Sequence, residues 1–196
     1  MKKLINNLIT EVKRAANNPS FIHHWWYIKY HIQIVEKISL ELCTKYPKAD
    51  KDIVLILVWF HDYGKMIDHA NQYEATLTAG QAKLLSIGFK PEIVEKIISY
   101  MKIFDGKEHL HQAPLEIQIV SSADGASHFV GPFYEFFWKE FHEGSYEALI
   151  TENLRKAKVD WEKKMVLPEI KEAFREKYEQ HLAKFGGLPR SYLDEQ

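Results

Sequence analysis

The chain has 196 residues, of which 46% are apolar and 27% charged, with a formal net charge of -1. A sizeable core can form, and the near balance of charge argues against a general nucleic-acid or membrane-surface binder, which needs a basic excess to collect phosphates. Cys43 is the only cysteine, so the chain can build neither an intramolecular disulfide nor a thiolate zinc cluster.

The opening MKKLINNLITEVKRAANNP carries charges within its apolar pattern and makes a poor signal peptide. No apolar run approaches the ~20 residues of a membrane-spanning helix, so a cytoplasmic protein is expected. Leu4, Ile5, Leu8, Ile9 and Val12 recur at spacings of three and four and predict a helix over 2–16, stopped by Asn17-Asn18-Pro19. His23 and His24 precede Trp25-Trp26-Tyr27, a cluster read as packing between the N-terminal helix and the rest of the bundle. Ile28, Ile32, Val35, Ser39 and Leu42 predict a second helix over 27–46. Residues 53–60 are all apolar, which suits a buried strand or a buried helix. No other segment reads as a strand, and a lone strand cannot satisfy its backbone. The segment is therefore expected to be a central helix, capped by Asp50 or Asp52, apolar all round, and released at Gly64.

A helix over 72–87 stops at Gly88. Pro91 opens the next, with Ile93, Val94, Ile97, Ile98 and Met101 inward, followed by Asp105-Gly106 in a loop. Pro114 opens a segment with Leu115, Ile119, Ala123 and Ala126. The region 145–165 is charged and amphipathic. Pro168 starts a last helix with Ile170, Phe174, Tyr178 and Leu182 inward, ended by Gly186-Gly187. No linker or repeat divides the chain. The expectation is an all-α fold in a single domain, 1–196.

Ten histidines direct attention to metal or acid–base chemistry. His31 shares a stripe with Ile34, Val35, Ile38 and Leu42, and Asp124 shares one with Ile117 and Val120. In WFHDYGK, the apolar run ends on His61 and Asp62. A buried carboxylate is expensive unless it finds a cation. Two imidazoles and two carboxylates form a nitrogen–oxygen set suited to a divalent ion, which offsets that cost. Side chains of adjacent helical residues point ~100° apart, and they converge on an ion placed beyond the helix end. Taken singly, each group has an ordinary explanation: a hydrogen-bonded core histidine, a helix cap, a surface dipeptide. Their coincidence on apolar faces is what singles them out.

The pattern resembles the HD-domain superfamily of metal-dependent phosphohydrolases. The resemblance rests on YHIQIV with His31, LILVWFHDYGK with His61 and Asp62, and SSADGASHF with Asp124, in order and spacing across about residues 22–130. It implies an HD-domain helical bundle with additional C-terminal helices, the extension covering about 131–196. It implies hydrolysis of a phosphate ester of a small molecule, often a nucleotide. It places one or two divalent ions on His31, His61, Asp62 and Asp124. It gives Asp62 and Lys65 catalytic roles and puts Lys65, together with His69, against the substrate phosphate. Asp62 or Asp124 would accept a proton from the attacking water, and Glu74 is a candidate for orienting a ligand histidine.

Departures from the family bear on the count of ions. Ile34 stands where many members have arginine; separately, the helix end at Ser99-Tyr100-Met101 lacks a histidine of the kind two-metal members add, and for that reason one ion is expected. Its identity among Mg, Mn, Fe, Co, Ni and Zn is open. His109 and His111 are read as solvated. The alternative to an enzyme is a non-catalytic metal- or ligand-binding regulatory module; a di-iron oxygenase-type centre is disfavoured by the missing second ligand set. The C-terminal helices, with Leu149, Leu154, Trp161, Phe174 and Tyr178 on a thin stripe, pack on the bundle, form a homodimer interface or make a lid. The aromatics of 133–141 pack in the core or wall a base-stacking pocket.

Overall fold

The computed structural model describes residues 1–140 and 144–185, and among these every regular element is a helix, as expected. Helix α1, Lys2–Ala16, buries Ile5, Leu8 and Val12 and ends at Asn17. A π-helical turn, Ile28–Ile32, leads into α2, Gln33–Lys45, which buries Val35, Ser39 and Leu42. Helix α3, Lys51–Phe60, is the apolar run. The Asp50 side chain caps it, accepting from the backbone N–H groups of Asp52 and Ile53, and so satisfies donors that the first turn leaves orphaned. Every residue from Ile53 to Phe60 except the half-buried Leu55 is buried, each large side chain contributing about 1.5–3 kcal/mol.

The exit from α3 differs from expectation. The chain turns at His61 and Asp62, and Gly64 lies inside a further short helix, α4, Tyr63–Ile67. A Cβ on Gly64 would lie 1.9 Å from the Gln72 carbonyl oxygen and 2.4 Å from Thr76 Oγ1. The glycine therefore serves close backbone approach and does not release the helix. The predicted helix over 72–87 is α5, Gln72–Ala75, a π-helical turn, Thr76–Gly80, and α6, Gln81–Ile87, stopped by Gly88 at φ 100°. Helix α7, Pro91–Gly106, carries Asp105 and Gly106 in its last turn, where a loop was expected.

Helix α8, Leu115–Ser127, begins after Pro114 and is buried at Ile117 and at every position from Ile119 to Ser127. Helix α9, Phe133–Glu140, comes next. Helix α10, Tyr146–Val159, is capped by Ser145 and runs into a third π-helical turn, Asp160–Lys164, before α11, Pro168–Phe185. The predicted stop at Gly186-Gly187 lies outside the described residues. The buried face of α10 and its turn is not the apolar stripe: Asn153, Ala157, Asp160 and Lys164 point inward, while Leu149 and Leu154 are half-buried. This face lies on α8, close enough that a Cβ on Gly125 would stand 3.2 Å from the Asp160 carbonyl. No helix among the described residues is long and apolar enough to cross a membrane.

Candidate functional site

Three elements deliver the polar groups to one place. The π-helical turn before α2 carries His31, the exit of α3 carries His61 and Asp62, and α8 carries Asp124. All four residues singled out in the sequence meet. His31 Nε2 lies 3.4 Å from His61 Nε2, 3.6 Å from Asp62 Oδ2 and 3.6 Å from Asp124 Oδ1. His61 Nε2 lies 3.5 Å from Asp62 Oδ2 and 3.9 Å from Asp124 Oδ1. His31, His61 and Asp124 are only 2–3% exposed.

Hydrogen bonds assign both imidazole tautomers. His61 Nδ1 donates to the Val58 carbonyl at 2.8 Å. Ser127 Oγ donates to the Asp124 carbonyl, so it accepts from His31 Nδ1 at 3.1 Å. Both Nε2 atoms therefore present lone pairs, to each other and to two carboxylate oxygens. Electron-rich atoms turned toward one another at this spacing repel, and a cation between them would relieve that repulsion. Neighbouring donors around an ion at ~2.1 Å stand roughly 3.0–3.4 Å apart by simple geometry. The observed spacings of 3.4–3.9 Å are mostly a few tenths of an ångström wider, so these atoms could hold a divalent ion by drawing slightly together, with both Nε2 lone pairs already turned inward.

The carboxylates also have cationic partners. Lys65 Nζ is 2.8 Å from Asp62 Oδ2, which also accepts from Tyr27 Oη at 2.6 Å. Lys164 Nζ pairs with Asp124 Oδ2. Burial opposes ionisation of Asp62 and Asp124, but Lys65 with the neighbouring His61 and His31, and Lys164 with His128, His61 and His31, together outweigh it and hold both well below the usual carboxylate range. Burial likewise opposes the charge on Lys164, yet Asp124 and Asp160 raise it above the ordinary lysine range. Burial lowers the pKa of His31 despite the carboxylates beside it.

His31, Asp62 and Asp124, with His61 behind them, line a cavity of about 400 Å³, at the lower end of the range for small-molecule sites. Lys65 and the exposed His69 line it, as do Phe133 and Phe137. Phe133 also packs at 3.9 Å from the His128 ring, so the aromatic stretch serves both packing and the cavity wall; Phe141 lies outside the described residues. Glu74 is exposed on α5, and the hydrogen-bond partners of His61 and His31 at Nδ1 are the Val58 carbonyl and Ser127 Oγ. His109 and His111 are exposed, as expected. His23 packs among Phe21, Trp26 and Tyr27 and also lines the cavity.

Three further residues escaped the sequence reading. His128 is 4% exposed, with Nε2 3.5 Å from Asp124 Oδ1 and Nδ1 2.7 Å from Asp160 Oδ2. Burial brings its pKa down to about 3 in spite of Asp160. Asp160 and Lys164 come from the charged C-terminal region. Only the spacing of four between Asp124 and His128 signalled any of them. In comparisons with known proteins, no protein-family model, curated protein or solved structure matches the chain.

Proposed function

We propose that the chain is an HD-type metal-dependent phosphohydrolase acting on a small phosphorylated molecule, with a nucleotide as the first choice of substrate. The supporting observation is the convergence of His31, His61, Asp62 and Asp124 beside a cavity that His31, Asp62, Asp124 and Lys65 line. A divalent ion held by these four supplies Lewis acidity toward a phosphoryl oxygen and toward water. Lys65 offsets the charge that develops on the phosphate oxygens. Asp62 or Asp124 takes the proton of the attacking water, and the hydrogen bond from Tyr27 fixes the orientation of Asp62. His69, at the exposed rim, contacts the substrate.

A specific observation also favours a non-catalytic reading. Lys65 and Lys164 already neutralise the two carboxylates, and a regulatory module could use these cations to hold an anion. Phosphate release from a panel of nucleotides and sugar phosphates, each with Mg²⁺, Mn²⁺, Co²⁺, Ni²⁺ or Zn²⁺, separates the two. The enzyme reading expects turnover that His61→Ala and Asp124→Ala abolish, with bound metal lost in the same variants by elemental analysis. Retention of full metal content by both variants overturns the ligand assignment; binding of an anion without turnover favours the module.

A further inference from the structure

The dyad of His128 and Asp160 has no part in the four-ligand centre, yet it faces it. Asp160 Oδ2 accepts from His128 Nδ1 at 2.7 Å and is further held by Lys156 Nζ at 3.4 Å. With Nδ1 committed as the donor, Nε2 carries the lone pair. That lone pair stands 3.5 Å from Asp124 Oδ1, an atom that also faces the Nε2 atoms of His31 and His61 at 3.6 and 3.9 Å. The two oxygens of Asp124 are therefore divided. Lys164 takes Oδ2, and three imidazole lone pairs surround Oδ1. The His31 and His128 rings stack nearly parallel, with centroids 5.2 Å apart at 17°, and both residues line the cavity.

A buried imidazole whose outer nitrogen is held by a carboxylate is the usual support of a histidine metal ligand. We propose that His128, oriented by Asp160, is a fifth protein donor to the centre formed by His31, His61, Asp62 and Asp124. The proposal rests on the metal-centre reading above and sharpens it. Three neutral imidazoles and two carboxylates favour a transition-metal ion such as Co²⁺, Fe²⁺ or Zn²⁺ over Mg²⁺, which takes oxygen ligands and gives up water reluctantly. The C-terminal region then supplies part of the centre, through Asp160 to His128 and through Lys164 to Asp124.

Two measurements test this. Co²⁺ is titrated into the metal-free full-length protein, monitored by calorimetry and by visible absorption, for wild type, His128→Gln and His111→Ala, the last an exposed control. The expected result is at least 10-fold weaker binding and an altered visible band for His128→Gln, with His111→Ala matching wild type. Wild-type affinity and spectrum in a folded His128→Gln protein overturn the proposal while leaving the four-ligand centre intact. Failure of wild type to bind Co²⁺ or Zn²⁺ overturns the metal-centre reading itself. The second measurement needs no variant: ¹⁵N-histidine-labelled wild type is titrated with Zn²⁺. The Nε2 resonances of three imidazoles are expected to move together, and movement of only two rejects His128 as a donor.

Discussion

Lys65 and Asp105 show how single groups respond to the crowded charge of the cavity. Lys65 is 30% exposed at its side chain and pairs with Asp62. If it holds substrate phosphate, Lys65→Ala raises KM about 10-fold or more and leaves metal content unchanged, since the variant removes a cation that competes for Asp62. Loss of metal, read by elemental analysis, would instead make Lys65 a support for Asp62. Asp105 lines the same cavity from the last turn of α7. Burial, and after it the negative charge of Asp62, pushes its pKa up from 3.8 to about 7. Between these values the folded state holds a proton that the unfolded chain has released, so stability is lost as pH rises through that window. Asp105→Asn removes the loss. In EDTA, its melting temperature is expected to match wild type near pH 4 and exceed it at pH 8; parallel profiles across that range would refute the assignment.

At the scale of elements, most of the helical pattern was legible because one apolar face recurs with a period of 3.6 residues, as in α1, where Ile5, Leu8 and Val12 are buried in keeping with their spacing. The illegible parts lie where that period breaks. Three π-helical turns insert a residue each, at Ile28–Ile32, Thr76–Gly80 and Asp160–Lys164, and two of them carry site groups. Such turns often mark functional positions. The inward face of α10 was hidden for a different reason: Asn153, Ala157, Asp160 and Lys164 are polar or small, and an apolar-face reading assigns such residues to solvent. Asp160 and Lys164 can be buried only because they compensate each other and the groups on α8. Two substitutions probe element ends. Asp50→Ala removes the cap of α3 and is expected to cost about 1 kcal/mol. Gly64→Ala drives a Cβ into the Gln72 carbonyl and the Thr76 backbone nitrogen, at 1.9 and 2.7 Å, and is expected to cost at least about 2 kcal/mol. At roughly 2–4 °C per kcal/mol for a chain of this length, thermal melts resolve both. Equal melting of Gly64→Ala and wild type would mean that α4 and α5 separate at no cost.

For the whole molecule, the sequence suggested a core over about 22–130 with C-terminal helices that pack on it, form a homodimer interface or make a lid, and in the structure those helices pack against α8. Val166 and Leu167 donate backbone N–H groups to Ser122 Oγ at 3.0 and 3.1 Å, and Ser121 Oγ donates to the Lys164 carbonyl at 3.1 Å. Met165, Leu167 and Ile170 join the same apolar core as α3 and α8. A chain ending at residue 144 would leave Asp124 Oδ2 without Lys164 and His128 Nδ1 without Asp160. Breaking one buried ion pair from one side costs about 3–5 kcal/mol, and each stranded buried polar group a further ~1–3 kcal/mol. The sum rivals the ~5–15 kcal/mol that holds an ordinary domain together. The truncated chain is therefore expected to show no cooperative melt, while the full chain unfolds in one transition by circular dichroism. A 1–144 fragment that melts cooperatively within a few degrees of the full chain would show instead that residues 145–185 are an appendage, and that α8 tolerates its buried charges unaided.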